Sequence, residues 1–115
     1  MNQIYRQRYE RAVQALQQNE IDAWIILGRE THLLGEPALL FLVPFALLSR
    51  TALIVTARNE RICLISAIEA EAAADTGLFS DIKIYPKAAA FEDQLSRALA
   101  ELLPAGKIAI DSSMA

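Results

Sequence analysis

The stretch Thr51–Ser66, TALIVTARNERICLIS, decides the fold. It holds two β-rich runs, TALIVTA and RICLIS, joined by the polar connection Arg58-Asn59-Glu60. Two such runs with a short polar link predict a β-hairpin. Asn59 suits the link because its short amide side chain tolerates the left-handed backbone that such loops often need. A hairpin pairs its strands antiparallel, so any sheet that contains it is mixed rather than purely parallel. The second run carries Cys63, the only cysteine of the chain. A single cysteine excludes an internal disulfide and suits a reducing compartment, so a cytoplasmic location is expected. Between apolar neighbours it reads as a small buried core residue rather than a reactive thiol.

Downstream of the hairpin, Ser66-Ala67-Ile68-Glu69 matches a capping box, which predicts a helix over Ala67 to Thr76. Gly77 stands where a left-handed C-terminal cap belongs. DIKIYP, residues 81 to 86, alternates like a strand and stops at Pro86. Residues 90 to 103 predict an amphipathic helix with Phe91, Leu95, Ala98, Leu99, Leu102 and Leu103 on one face. Pro104 and Gly106 end it, and KIAID, residues 107 to 111, follows as the last strand. Upstream, residues 4 to 19 predict a helix, with Ile4, Tyr5, Tyr9, Ala12, Val13 and Leu16 recurring at helical spacing and Asn19 as its stop. AWIIL, Ala23 to Leu27, is a short apolar run rich in Trp and Ile, read as a buried strand that ends at the turn residue Gly28. Strands alternating with helices argue for an α/β layer structure.

Between the first strand and the hairpin lies ETHLLGEPALLFLVPFALLSR, residues 30 to 50. Its apolar run, Pro37 to Leu48, is shorter than the ~20 residues a membrane span needs, and Pro44 interrupts it. Segment 36 to 49 reads as helix, loop or strand. Pro37 favours a first helical turn, and Pro44 would bend or end a helix. The run is expected either to pack on the sheet or to be covered by another chain. Pro37, Leu39, Leu40, Phe41 and Phe45 are the candidate interface residues. Arg29, Glu30 and the only histidine, His32, precede it. They read either as ligand contacts governing substrate access on a loop after the first strand, or as a surface ion pair and a hydrogen-bonded loop histidine.

The whole chain of 115 residues, 54% hydrophobic and 22% charged, fits one domain, residues 1–115, with a core of its own. Net charge is −3 with acid and base interspersed, which argues against nucleic acid as a partner. The N-terminus, MNQIYRQRYERAVQ, has no apolar core of a signal peptide, and no membrane association is expected. No G-x-x-x-x-G-K-[ST] or G-x-G-x-x-G loop and no G-x-S-x-G elbow is present. One His and one Cys do not make a His/Cys-rich zinc site. Asp22 and Asp111 flank strands and read as turn and cap residues, with paired metal ligation as the alternative. No residue is assigned a catalytic or metal-binding role.

Taken together, these patterns resemble a known family. A first helix of the form Tyr-x-x-Arg…Leu, a polar stop, and Ile21-Asp22-Ala23 leading into a hydrophobic strand are similar to the N-terminal domain of the creatinase/prolidase/aminopeptidase P family, the M24 Xaa-Pro metallopeptidases. The hairpin Leu53-Ile54-Val55-Thr56…Glu60-Arg61-Ile62-Cys63-Leu64 agrees, as do the strand ending in Tyr85-Pro86 and the final Lys107-Ile108-Ala109-Ile110-Asp111. The family's Arg-Tyr-Leu-Thr-Gly-like motif is represented here by Thr31-His32-Leu33-Leu34-Gly35, in which only the Leu and Gly survive. Arg29-Glu30 and Glu36-Pro37 look similar to pairs found in other branches.

The resemblance implies a three-layer α/β/α fold with a mixed, mostly parallel sheet of about five strands including one hairpin, a ribonuclease H-like motif. It also implies a second, C-terminal catalytic domain of pita-bread fold, absent from these residues. There two Asp, one His and two Glu hold two divalent ions, manganese, cobalt or zinc, for hydrolysis before proline. On this reading the chain has no cofactor of its own. It is expected to be an inactive N-terminal domain that caps the active site, shapes substrate access and supports homodimer contacts, with its catalytic domain as partner. The alternative expectation is a stand-alone interaction module pairing through residues 37–48.

Overall fold

A computed structural model of the protein describes residues 2–28, 37–44, 49–102 and 106–112. The hairpin expected from Thr51–Ser66 forms the middle of the sheet: β2 is Thr51–Thr56 and β3 is Arg61–Ser66. The turn closes with Asn59 N–H donating to the Thr56 carbonyl at 2.9 Å, and Asn59 is left-handed at φ 66°. The Thr56 hydroxyl accepts from Glu60 N–H (3.0 Å) and donates to the Glu60 carboxylate (3.1 Å). Every residue of β2 and all but the first of β3 are buried. Strands covered on both faces have no polar side to alternate with, which explains the continuous apolar runs.

Around this hairpin the five strands lie in the order β4-β3-β2-β1-β5, with β1 Ala23–Gly28, β4 Asp81–Tyr85 and β5 Ile108–Ser112. β2 pairs antiparallel with β1 and β3, whereas β1–β5 and β3–β4 pair parallel. Four strands therefore run one way and β2 alone runs against them. This is the mixed, mostly parallel sheet expected.

Helices cover both faces. On one face, α1 (Gln3–Gln18), α2 (Pro37–Leu42) and α3 (Ala70–Thr76) enclose a core of Tyr9, Val13, Leu16, Ile26, Leu42, Leu53, Val55, Cys63, Ile65 and Ala73. On the other face α4 (Phe91–Leu102), preceded by a 3₁₀ turn at Ala88–Ala90, packs Phe91 on Ala52, Leu64 and Tyr85, and Ala98 on Ile25, Ile54 and Ile62. Tyr9, Val13 and Leu16 turn inward at successive helical repeats. Within the segment left open by sequence, Pro37 starts α2 and the helix ends at Leu42, two residues before Pro44. No helix among the described residues is long and apolar enough to cross a membrane.

Two helix ends differ from expectation. The capping box does not start α3, which begins at Ala70 rather than Ala67. Ser66 is still in β3, and residues 67–69 make a turn closed by Glu69 N–H to the Ser66 carbonyl. The Glu69 carboxylate instead accepts from the Ser66 hydroxyl (3.4 Å) and from Ser49 N–H (3.1 Å), and the Ser49 contact is a long-range one that local spacing does not reveal. At the end of α1 the stop is a Schellman motif. Ile21 N–H reaches the Leu16 carbonyl and Glu20 N–H the Gln17 carbonyl, with Glu20 left-handed at φ 57°. That position favours glycine, because a Cβ there crowds the backbone. Gly77 fills the equivalent place after α3, at φ 66°. We expect Glu20→Gly to stabilise the fold by about 1 kcal/mol. Denaturant unfolding of the two proteins side by side checks this, and an unchanged or lowered midpoint contradicts it.

Candidate functional site at the carboxyl rim of the sheet

In open α/β sheets, ligands collect beyond the carboxyl ends of the strands. Here the four co-directional strands end at one rim with Gly28, Ser66, Tyr85 and Ser112, and β2 starts there at Thr51. The described polar groups of this rim bind one another. The Tyr85 hydroxyl donates to the Arg50 carbonyl at 2.5 Å. The Arg50 guanidinium stacks 4.6 Å from the Phe91 ring centre, donates to the Ala88 carbonyl (3.4 Å) and lies 3.5 Å from Glu92. The Phe91 ring meets Tyr85 edge-on at 5.2 Å. Thr51, fully buried, donates its hydroxyl to the Ser49 carbonyl at 3.2 Å. With Glu69 holding Ser49 and Ser66, the segment 49–51 is clamped onto the ends of β3 and β4. Burial raises the Tyr85 phenol above its ordinary range; the Glu69 carboxylate adds to this and Arg50 offsets part of it. At neutral pH the phenol is a protonated donor.

Arg29, Glu30 and His32, the candidates for substrate access, follow Gly28 in sequence and lie outside the described residues. Of the candidate interface residues, Phe45 also lies outside them, and Pro37, Leu39 and Leu40 are described only as members of α2. Phe41 is 46% exposed, although little of this segment was expected to face water. Its outward ring is covered in part by Arg8, whose guanidinium lies 4.4 Å from the ring centre and donates to the Phe41 carbonyl at 2.8 Å. The same guanidinium sits 5.0 Å from the Tyr5 ring. Leu42 and Val43 turn into the core.

Asp22 and Asp111, expected as turn and cap residues, instead make long-range ties between strands. Asp22 accepts from Lys107 N–H at 2.8 Å and anchors the start of β5. Gly106 lies so close that a Cβ there would run into the Asp22 carboxylate. Asp111 accepts from the Trp24 indole N–H at 2.6 Å and ties β5 to β1. Among the described residues, no group of three or more His, Cys, Asp or Glu could hold a metal ion.

Sequence reasoning missed Arg50, Tyr85 and Arg8 as organising residues. Tyr5 and Arg8 stand three apart on one helix, a spacing that places side chains side by side. The Arg50–Tyr85 contact spans 35 positions and has no local signal. Compared with known proteins, the chain matches no family model and no curated sequence.

Cys63 lies mid-strand, 1% exposed, and burial, aided by Glu69, pushes its thiol up to about 12 from 9.0. The folded state thus holds a proton that the unfolded state releases first. Stability from this group is full below pH 9.0 and falls as pH rises from there toward about 12. We expect no reaction of the native thiol with a disulfide reagent at neutral pH, full reaction in denaturant, and a smaller alkaline loss of stability in Cys63→Ala than in the parent. Rapid labelling of the native protein contradicts the assignment.

Proposed function

We propose that this chain serves as the non-catalytic N-terminal domain of a metal-dependent Xaa-Pro peptidase of dipeptidase or aminopeptidase P type. In that role it covers the active site of a separate catalytic domain, shapes substrate access and supports dimer contacts. The observation that carries the reading is the arrangement of the elements. Helix, strand, short α2 segment, hairpin, helix, strand, helix and strand assemble around one reversed central strand, in the order and with the hairpin that the sequence resemblance implies. The rim agrees with it: Tyr85, Arg50, Thr51 and Glu69 spend their polar atoms on holding residues 49–51 in place. The two divalent ions of such a peptidase would belong to the catalytic domain's two Asp, one His and two Glu. The described residues of this chain offer no comparable cluster, so no step of the hydrolysis is assigned to them.

A second reading, an interaction module pairing through residues 37–48, draws on the exposed ring of Phe41. The two readings separate experimentally. Incubating the chain with manganese and an Xaa-Pro peptide should release no proline; steady turnover overturns the first reading. Reading the coding region past Ala115 should reveal a segment with the five metal ligands, and its absence counts against the same reading. Under the second reading Phe41→Ser abolishes self-association in sedimentation, whereas an unchanged profile removes that reading.

A further inference from the structure

Among the described residues β5 is an edge strand of the sheet and pairs only with β1. Which backbone groups face outward follows from one contact. Ala23 N–H donates to the Lys107 carbonyl at 3.4 Å, so positions 107, 109 and 111 turn their backbone toward β1. Ile108, Ile110 and Ser112 then present N–H and C=O at the open edge, since backbone direction alternates along a strand. The side chains alternate as well. Ala109 and Asp111 register with Trp24 and Ile26, on the face of α1. Ile108 and Ile110 lie on the face of α4 and are 41% and 63% exposed.

The sequence of this edge, Lys107-Ile108-Ala109-Ile110-Asp111, carries an isoleucine on each side of Ala109 and opposite charges at its ends. We propose that a second copy of this chain adds antiparallel to β5, about a two-fold axis through Ala109, to make one continuous sheet across both copies. This inference does not rest on the peptidase reading. In this register Ile108 of each copy opposes Ile110 of the other, and these outward-facing residues exchange both backbone hydrogen bonds. Ala109 opposes its own symmetry mate in the close, non-hydrogen-bonded position, where Cα atoms approach to about 4.5 Å and a small side chain fits. On the α1 face each Lys107 meets the other copy's Asp111. Asp111 already accepts from Trp24 through Oδ2, and a carboxylate has capacity for a further donor. Shifting the axis by one residue to Ile108 or Ile110 leaves neither charge opposite its complement. A parallel arrangement cannot close about a two-fold axis. Charge complementarity thus selects one partner, a second copy, and one register.

Sedimentation velocity over a concentration series tests the assignment, with a thermal melt confirming that each variant folds. The parent should dimerise. Lys107→Glu, on an exposed side chain, places acid opposite acid twice and should weaken the dimer about tenfold or more. Adding Asp111→Lys to it should recover association, which a merely structural role for either residue would not produce. In a separate arm, oxidation of Ala109→Cys should give a covalent dimer, because opposed Cα atoms at about 4.5 Å lie within disulfide reach. Ile110→Cys, displaced from the axis, should not. A parent that stays monomeric at millimolar concentration overturns the proposal. So does a dimer indifferent to Lys107→Glu, or cross-linking at position 110 equal to that at 109.

Discussion

The structure depends on the pairing of β2 with a neighbour on each side. Among the described strands it alone runs against the others, and it is fully buried along its length. Its backbone must be satisfied by β1 and β3 together, because burial leaves no water to take up a stray N–H or C=O. Its side chains alternate between two cores. Leu53 and Val55 join the face covered by α1, α2 and α3, while Ala52 and Ile54 join the face covered by α4. A one-residue slip of β2 would exchange these sets. It would bring larger side chains to the α4 face and smaller ones to the face that packs Tyr9. The hairpin turn guards against that slip through the reciprocal Thr56–Glu60 bonds and the left-handed Asn59.

Reversing one central strand also fixes where polar groups collect. The start of β2 falls among the ends of the other strands, so the approach segment Ser49-Arg50 must cross the rim. It does so held by Glu69 from the turn before α3 and by Tyr85 from the end of β4. The rim is therefore built around a crossing of the chain. Arg50 exposes its guanidinium edge to Glu92, which is itself 84% exposed and so contributes little as an ion pair. Its stack on Phe91 adds packing that solvent screens less. A cost remains on the opposite face, where the buried Tyr9 hydroxyl has no hydrogen-bond partner among the described residues and its ring lies under Arg61.

How much of this the sequence discloses depends on the range of the interactions. The hairpin, α1, α4 and the Gly77 cap were legible because each rests on local spacing or on one residue's backbone preference. For α2 the sequence offered only Pro37 as a favourable first-turn residue and Pro44 as a break, and it left segment 36 to 49 open between helix, loop and strand. The start of α3 was misread because Ser66 and Glu69 carry the spacing of a capping box while serving β3 and Ser49. The left-handed Glu20 was illegible because nothing about a glutamate announces φ 57°; the Leu16 to Ile21 closure imposes it. The rim was illegible because Arg50, Tyr85 and Glu69 come from separate elements. Arg29, Glu30 and His32 lie outside the described residues, so the structure neither gathers nor separates them.

The two edges of the sheet handle exposed backbone differently. β4 carries Lys83 between Asp81 at 3.3 Å and Glu101 of α4 at 3.5 Å, and its ammonium is held charged above the ordinary lysine range, chiefly by the Asp81 hydrogen bond. A charge already paired within the chain makes that edge a poor template for another strand, since an incoming neighbour would meet a hydrated cation whose partners are taken. On the β5 edge Lys107, just before the strand, and Asp111, near its end, carry opposite charges with apolar residues between them. The same devices that protect an edge when they repel become a register code when they are complementary. Lys107 and Asp111 therefore reject most neighbours and accept one in which the sequence is read backwards.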